Sequence, residues 1–279
     1  MWAVPGVEEG HKLMLAGFAP PIRGLILDMD GVLWSDASPI GDLRTVFQAL
    51  SERQLGVVLA TNNATKTVDE YLEKLRSFGV SLESRQIVTS SNATAQVLLE
   101  RFPDGGRVFV IGEGGLLAAL HQAGFSPITD PAQDSAVLAV VAGIDRTVTY
   151  DKLRRATLHI RSGAGFYGTN PDKTFPTPLG LVPGAGSILA ALEAATDITP
   201  IVVGKPSPLM MEIALERLGL HADEVLVVGD RLETDVAAGH AAGMRTALVL
   251  SGVSTLEQAK QWDPPPDLIA ASLSAVLGA

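Results

Sequence analysis

The feature that most constrains the fold of this chain is a set of short apolar runs, each of which ends in a polar residue or a glycine. Four of these runs, each with the residue that follows it, are 24–27 with Asp28, 56–60 with Thr61, 225–228 with Gly229 and Asp230, and 246–250 with Ser251. Continuous apolar runs of this length are typical of strands that are covered on both faces, which indicates a parallel sheet. Amphipathic stretches such as 43–53 and 208–218 separate the runs and predict helices.

The alternation of strands and helices predicts an α/β fold, a doubly wound parallel sheet of the Rossmann-like kind. Because ligands bind beyond the carboxyl ends of such strands, we expect Asp28, Thr61 and Asp230 at one functional edge. A second set of alternations between about residues 84 and 180 is long enough for a smaller inserted α/β domain. The expected organisation is a core of 21–83 and 181–279, an insertion of 84–180 and an N-terminal extension of 1–20.

Charge and composition exclude several classes of function. The net charge is -10, and no cluster of Lys or Arg is dense enough to follow a phosphate backbone, so nucleic acid is not an expected partner. The chain has no cysteine, which excludes disulfides, thiolate metal sites and thiol catalysis, and which is compatible with a cytoplasmic location. No segment approaches the length that crosses a membrane, and the apolar run 13–18 lacks the basic flank of a signal peptide.

Two carboxylates lie directly after the first strand, in the run Asp28-Met29-Asp30-Gly31. Side chains two residues apart in extended backbone point in a similar direction, so both carboxylates can face one substrate. One carboxylate can attack phosphorus and form an aspartyl phosphate, while the second protonates the leaving oxygen and then takes a proton from water. The competing interpretation is that Asp28 only caps a turn, and the apolar strand before it favours the catalytic one.

The strand and the run 28–32 that follows it resemble the first motif of the haloacid dehalogenase-like (HAD) phosphatases. A second motif of that family, a Ser or Thr at the end of the next strand, is matched by Thr61 in the run Ala-Thr-Asn-Asn. The resemblance implies that the Thr61 hydroxyl and the backbone N–H groups of Asn62 and Asn63 hold the transferring phosphoryl group. Taken alone, such a run is most often an ordinary turn or helix cap.

The third and fourth motifs of the family occur in the required order. Lys205, in the run Gly-Lys-Pro-Ser-Pro, matches the third, where a lysine offsets the repulsion between Asp28 and a phosphate dianion. Asp230 and Asp235 match the acidic fourth motif. The resemblance implies a Mg²⁺ site made by the carboxylates of Asp28, Asp230 and Asp235 and the backbone carbonyl of Asp30, and such oxygen ligands suit Mg²⁺.

The spacing of the motifs places the insertion. Asp28 and Thr61 are 33 residues apart, whereas Thr61 and Lys205 are 144 apart. An insertion in the second interval resembles the C2-type cap of the NagD-like and 4-nitrophenylphosphatase-like branch, which implies substrate contacts from the cap and a homodimer formed through it. Asn170 and Asp172 are the candidate contacts, although Asn-Pro-Asp is also a ready-made turn. Trp34 lies where the family has a mobile flap; it lines the entrance or packs as an ordinary aromatic.

The resemblance implies a Mg²⁺-dependent phosphatase that acts on a small phosphorylated metabolite through an aspartyl phosphate. A phosphoryl-transferring mutase shares that intermediate, but mutases of this superfamily usually carry their cap between the first two motifs. A non-catalytic protein that binds a phosphorylated ligand on the same fold is expected to lack Asp28, Asp30 or Asp230, and all three are present. The substrate stays open among sugar phosphates, nucleoside monophosphates, phosphoglycolate and pyridoxal phosphate.

Overall fold

The computed structural model describes residues 15–133, 135–177 and 179–278, so that most of the expected N-terminal extension lies outside the described residues. The strands are β1 Gly24–Leu27, β2 Trp34–Ser35, β3 Ser38–Pro39, β4 Gly56–Thr61, β5 Ile87–Thr89, β6 Gly106–Ile111, β7 Phe125–Ile128, β8 Ala139–Ala142, β9 Gly165–Gly168, β10 Thr174–Thr177, β11 Gly180–Pro183, β12 Ile201–Val202, β13 Val225–Gly229, β14 Arg245–Val249 and β15 Leu268–Ala270. The helices are α1 Leu43–Glu52, α2 Val68–Ser77, α3 Ser90–Arg101, α4 Gly114–Gln122, α5 Tyr150–Arg161, α6 Ala185–Thr196, α7 Pro208–Leu218, α8 Ala237–Ala241, α9 Leu256–Gln261 and α10 Leu273–Leu277. Short 3-10 helices cover Leu15–Gly17, Ser84–Gln86 and Ala222–Glu224, and a π-helix covers Leu232–Val236.

The described residues form two compact units. The first unit contains residues 15–61, 72–88 and 211–278, and the second contains Asn62–Tyr71 and Thr89–Met210. The second unit extends beyond the expected insertion, because α6 and β12 pack with it. The assignment of the units as catalytic core and cap stays a prediction.

The first unit is built on a six-stranded sheet with the order β15-β14-β13-β1-β4-β5. The pairs from β15 through β4 are all parallel, which confirms the predicted parallel α/β sheet. Every residue of β1 and β13 is buried, so the continuous apolar runs of the sequence correspond to strands covered on both faces. Strand β1 lies between β13 and β4, at the centre of the sheet.

The second unit has its own five-stranded sheet with the order β12-β9-β8-β6-β7, and its strand pairs are parallel. Apolar clusters pack on the two faces of β6, one around Phe109 and Ile160 and the other around Val108 and Leu98. Three residues of α6, at positions 188, 189 and 192, belong to the first of these clusters. Burial of this apolar face explains why α6 is part of the second unit.

Several elements of the second unit carry no clear signal in the sequence. Helix α4 (Gly-Gly-Leu-Leu-Ala-Ala-Leu-His-Gln) is apolar on most of its surface, so it has no strong helical periodicity. Strands β10 and β11 contain one proline each, Pro176 and Pro183, which lower their resemblance to a strand pair. Within the described ranges, no helix combines the length and the apolar character that crossing a membrane requires.

Candidate active site

The carboxyl edge of the six-stranded sheet collects the first of the predicted site residues. In the sheet, Leu27 pairs with Leu59 of β4 on one side and with Val228 of β13 on the other. Asp28 follows directly, and its backbone N–H donates to the Val228 carbonyl (2.9 Å). The parallel register therefore brings the ends of three apolar runs to one edge, as the sequence predicted.

Three carboxylates meet at this edge. One oxygen from each of Asp28, Asp230 and Asp235 can be chosen so that all three lie within 4.8 Å of one another. Asp230 and Asp235 are 2% exposed. Buried carboxylates repel one another unless a cation or a proton compensates them, and an oxygen-only donor set of this size suits a hard divalent cation that keeps some of its waters. The residues present therefore fit the divalent metal that the fourth motif implies.

The backbone around β13 fixes two of these carboxylates. The chain after Asp230 forms a single turn of π-helix, Leu232–Val236, and such wide turns occur often at functional sites. The Arg231 N–H donates to Asp235 Oδ2 (3.1 Å), and the Val253 N–H donates to Asp230 Oδ2 (2.8 Å). Donors at these oxygens orient the carboxylates without neutralising them.

Two glycines allow the loops after β1 and β14 to approach Asp230. Gly31 has a φ of 84°, and a Cβ at Gly31 or at Gly252 would overlap the Asp230 carboxylate. The Ser251 hydroxyl donates to the Gly31 carbonyl (2.7 Å), which ties the β14 loop to the β1 loop. A side chain at either glycine would displace the acid, so both positions require glycine for space, and Gly31 also requires it for its backbone conformation.

Asp30 is not one of the three clustered carboxylates. Its Oδ1 accepts a hydrogen bond from the indole Nε1 of Trp34 (2.8 Å). Trp34 itself is buried, 1% exposed, so it is a packed aromatic with a polar contact. The alternative that Trp34 lines an entrance does not match this burial.

Thr61 is the last residue of β4 and is 3% exposed. The residue after it, Asn62, belongs to the second unit, where it is the centre of a hydrogen-bond network. Its Nδ2 donates to the Lys205 carbonyl (2.9 Å) and to Asp172 Oδ2 (3.3 Å), and its own carbonyl accepts from Asn170 Nδ2 (2.8 Å). The network thus joins four of the predicted site residues.

The remaining predicted residues lie in or beside this network. Asn63 Oδ1 accepts from the N–H and the hydroxyl of Thr65 (2.9 and 2.8 Å), which is an Asx turn. Asn170 Oδ1 accepts from the Asp172 N–H (3.1 Å), so the Asn-Pro-Asp run does form the turn that was the competing interpretation. A turn and a substrate contact are compatible roles, because the turn leaves the Asp172 carboxylate on the network.

Lys205 is 2% exposed, and a lysine is almost never fully buried unless its ammonium group is paired. The preceding residue, Gly204, passes so close to Asn62 that a Cβ would lie 2.7 Å from the Asn62 Oδ1. The burial argues against the alternative of an ordinary surface lysine beside a helix start.

Comparison with known proteins agrees with this geometry. Residues 25–126 match a family model described as haloacid dehalogenase-like hydrolase, and residues 202–276 match a second one, described as HAD-hydrolase-like. An acid sugar phosphatase of Staphylococcus aureus is 38% identical to the chain over 244 residues, which are 88% of this chain and 92% of that protein. The chain belongs to the haloacid dehalogenase-like hydrolase family.

Similarity to solved structures indicates which branch of the family this chain resembles. A p-nitrophenyl phosphatase from Archaeoglobus fulgidus superposes with a TM-score of 0.85 at 36% identity, over 92% of this chain and 98% of that one. NagD from E. coli K-12 superposes with a TM-score of 0.81 at 33% identity, over 91% and 97%. A 4-nitrophenylphosphatase from Thermotoga maritima superposes with a TM-score of 0.84 at 35% identity, over 92% and 97%. The predicted NagD-like branch, α/β fold and phosphatase class are confirmed.

The residues of the β14 loop that hold Asp230 and Gly31 were not among the predicted site residues, although the run Gly252-Val253 is typical of the NagD-like branch. The backbone of Val253 and the hydroxyl of Ser251 hold Asp230 and Gly31, and Ser254 Oγ accepts from the Leu232 N–H (3.1 Å). The available signal was the position of these residues, directly beyond a buried parallel strand that neighbours β13. The bond from Trp34 to Asp30 had no signal beyond their separation of four residues.

Proposed function

We propose that this chain is a Mg²⁺-dependent phosphomonoesterase that hydrolyses small phosphorylated metabolites with Asp28 as its nucleophile. The observation that carries the proposal is the group of three carboxylates within 4.8 Å, one of which directly follows the central strand of a parallel sheet. In a phosphatase of this family, that group provides both a nucleophile and a metal site.

Asp28, Asp230 and Asp235 are the proposed side-chain ligands of the cation, with the backbone carbonyl of Asp30 as a further ligand. When bound, Mg²⁺ offsets the mutual repulsion of the carboxylates and the charge of the substrate phosphate. The Trp34 bond supports this division of roles, because it keeps the Asp30 side chain for proton transfer.

The chemistry of the chain's own residues has two steps. An Asp28 oxygen attacks phosphorus and the bond to the leaving oxygen breaks, while the protonated Asp30 carboxyl gives its proton to that oxygen. Water then attacks the aspartyl phosphate and passes a proton to Asp30, and the bond between phosphorus and Asp28 breaks. Both aspartates return to their starting forms and inorganic phosphate is released.

Thr61 and Lys205 are proposed to hold the transferring phosphoryl group, together with the backbone N–H groups of Asn62 and Asn63. The buried ammonium of Lys205 supports this role, since a positive charge in a site shielded from water strongly stabilises developing negative charge. Asn62 positions Lys205 through its bond to the Lys205 carbonyl. Asn170 and Asp172 are proposed to contact the leaving group, as parts of the same network.

The substrate class that we propose is sugar phosphates. It is supported by the identity of 38% with a protein named acid sugar phosphatase, while the p-nitrophenyl phosphatases suggest tolerance of an aromatic leaving group. We also propose a cytoplasmic location, supported by the absence of cysteine. A homodimer through the second unit is supported by two leucines that the β10–β11 hairpin exposes, Leu179 (98%) and Leu181 (73%).

A screen of phosphorylated metabolites for phosphate release in the presence of Mg²⁺ tests the proposed function. We expect sugar phosphates to have the highest kcat/KM and the Asp28→Asn variant to release no phosphate above background. Release of an isomeric phosphosugar in place of free phosphate would support the mutase, and binding without Mg²⁺-dependent turnover would support the non-catalytic alternative. Light scattering on the same preparation tests the dimer, and a monomer would contradict it.

A further inference from the structure

The indole of Trp34 makes a contact that simple packing does not require. A buried tryptophan needs a partner for its N–H, but that partner is commonly a backbone carbonyl or water. Here Nε1 donates to a carboxylate, Asp30 Oδ1, at 2.8 Å. Asp30 is the group proposed above to move the proton in both steps of the reaction.

The backbone holds both partners of this bond in one turn. The Met29 carbonyl accepts from the N–H groups of Leu33 (2.8 Å) and Trp34 (3.3 Å), and the Gly31 N–H donates to the Trp34 carbonyl (2.7 Å). These bonds close the chain between residues 29 and 34, so the position of the indole relative to Asp30 is set locally. The geometry does not depend on a distant loop.

The ring also contacts Lys74 of α2 and Phe78, the residue directly after that helix. The ring centroids of Phe78 and Trp34 are 6.1 Å apart, with a tilt of 42°. The Lys74 Nζ lies 4.0 Å from the Trp34 ring centroid and donates to the Asp36 carbonyl (2.8 Å). A cation over the face of an indole stabilises the ring in that place, so that Nε1 points in one direction.

We propose that Trp34 is a positioning residue that fixes the Asp30 carboxyl for proton transfer. The indole occupies Oδ1, which can accept a hydrogen bond in both the charged and the neutral form of the acid. The transferable proton is therefore confined to Oδ2, which gives it to the leaving oxygen and later receives one from water. This inference rests on the proposed role of Asp30.

The proposal predicts a loss that depends on the leaving group. An alkoxide, such as that of glucose 6-phosphate, needs a proton as it leaves, whereas 4-nitrophenolate is stable without one. For both substrates, kcat/KM reports the steps up to cleavage of the ester. Only the sugar ester needs a proton in these steps, so only its kcat/KM depends on the acid. Since general acid catalysis contributes about 10²- to 10⁴-fold, we expect Trp34→Phe to lower kcat/KM about 10-fold or more for glucose 6-phosphate and about 3-fold or less for 4-nitrophenyl phosphate.

Phe78→Leu is the matched control, because it removes packing against the same ring but keeps the Nε1 donor. We expect it to change kcat/KM for the two esters by the same factor. An equal loss on both esters in Trp34→Phe would mean that Trp34 is only structural, and would overturn the proposal. If Trp34→Phe does not fold, incorporation of benzothienylalanine at position 34, which keeps the shape of the ring but has no N–H, decides: a selective loss on glucose 6-phosphate supports the proposal, and an unchanged ratio of the two kcat/KM values overturns it.

Asp30→Asn separates this proposal from the one on which it rests. If Asp30→Asn hydrolyses glucose 6-phosphate as the wild type does, the role of Asp30 is wrong and the role of Trp34 falls with it. If Asp30→Asn loses that activity while Trp34→Phe keeps the wild-type ratio, the acid stands and only the positioning role is wrong.

Discussion

Acidic residues follow the strands of both parallel sheets in this chain, but the two sheets surround them differently. In the six-stranded sheet, Asp28, Asp230 and Asp235 approach one another within 4.8 Å. In the five-stranded sheet, two of these acids each contact a basic side chain. Glu113, after β6, contacts Arg146 (2.8 Å), and Asp145, after β8, contacts Lys152 (2.7 Å).

An acidic residue beyond the carboxyl end of a parallel strand therefore does not by itself make a metal site. A carboxylate that already faces an ammonium or guanidinium group is compensated within the protein, whereas three grouped carboxylates favour an external cation. Asp145 also accepts from the N–H and hydroxyl of Thr147 (2.8 and 2.7 Å). We therefore propose a stabilising role for Asp145 beside the proposed catalytic role of Asp28, and the following changes test the contrast.

The largest effect is expected for Asp28→Asn. Loss of a covalent nucleophile lowers kcat by about 10⁴-fold or more, while the isosteric amide leaves the fold intact. The measurement is phosphate release under saturating substrate, with Asp145→Asn as the matched control, which we expect to keep kcat near the wild-type value. Similar losses in both variants would remove the distinction between the two sheets.

The second effect concerns the cation. Asp230→Asn is expected to weaken apparent Mg²⁺ affinity about 100-fold or more, because changes in the shell around metal ligands already cost about 10- to 100-fold. Bound metal stabilises the wild type by about 2.7 kcal/mol at a concentration of 100 Kd, so Mg²⁺ should raise its Tm but not that of Asp230→Asn. A Tm shift of equal size in both proteins would contradict a site at Asp230.

The third effect is on stability and appears at Asp145. Burial raises the pKa of Asp145, but the bonds from Lys152 and Thr147 outweigh it, and the pKa lies below its usual value. The charged form is thus favoured in the folded state, and its contribution is present at neutral pH and is lost as the pH falls from about 4. We expect Asp145→Asn to lower the free energy of unfolding by about 1–3 kcal/mol at pH 7, with a smaller difference from the wild type at pH 3. Denaturation curves at the two pH values measure this, and a difference that grows in acid would contradict it.

The smallest effect is expected at Glu113. Its partner Arg146 has a side chain that is 54% exposed, and water screens such pairs. Glu113→Gln should therefore change the free energy of unfolding by about 0–1 kcal/mol, and less at high salt. A loss of unfolding free energy larger than that of Asp145→Asn would show that side-chain exposure does not predict the contributions of the two ion pairs to stability.

The sequence predicted the first sheet and its acids because both depend on local patterns. An apolar run that ends in Asp28 or Asp230 specifies a buried strand and an edge position at the same time, and parallel pairing brings such ends together. The second unit was predicted less completely, since α6 and α4 have little amphipathic periodicity. Their places depend on packing against strands that are distant in the chain.

The network around Asn62 shows a second limit of prediction from sequence. Its partners Asp172 and Lys205 are 110 and 143 residues away along the chain. No local pattern specifies such pairs, and the resemblance to the family supplied the residues without their bonds. The Trp34 to Asp30 bond is local, but it depends on the turn that Gly31 allows.

The most direct test of the central claim is detection of the covalent intermediate. The wild-type chain is mixed with 4-nitrophenyl phosphate and Mg²⁺, quenched with acid during turnover, digested and analysed by mass spectrometry. We predict one phosphoryl group on the peptide that contains Asp28, sensitive to hydroxylamine and missing when Mg²⁺ is removed. A phosphoryl group on any other residue, in a preparation that turns over substrate, would contradict it.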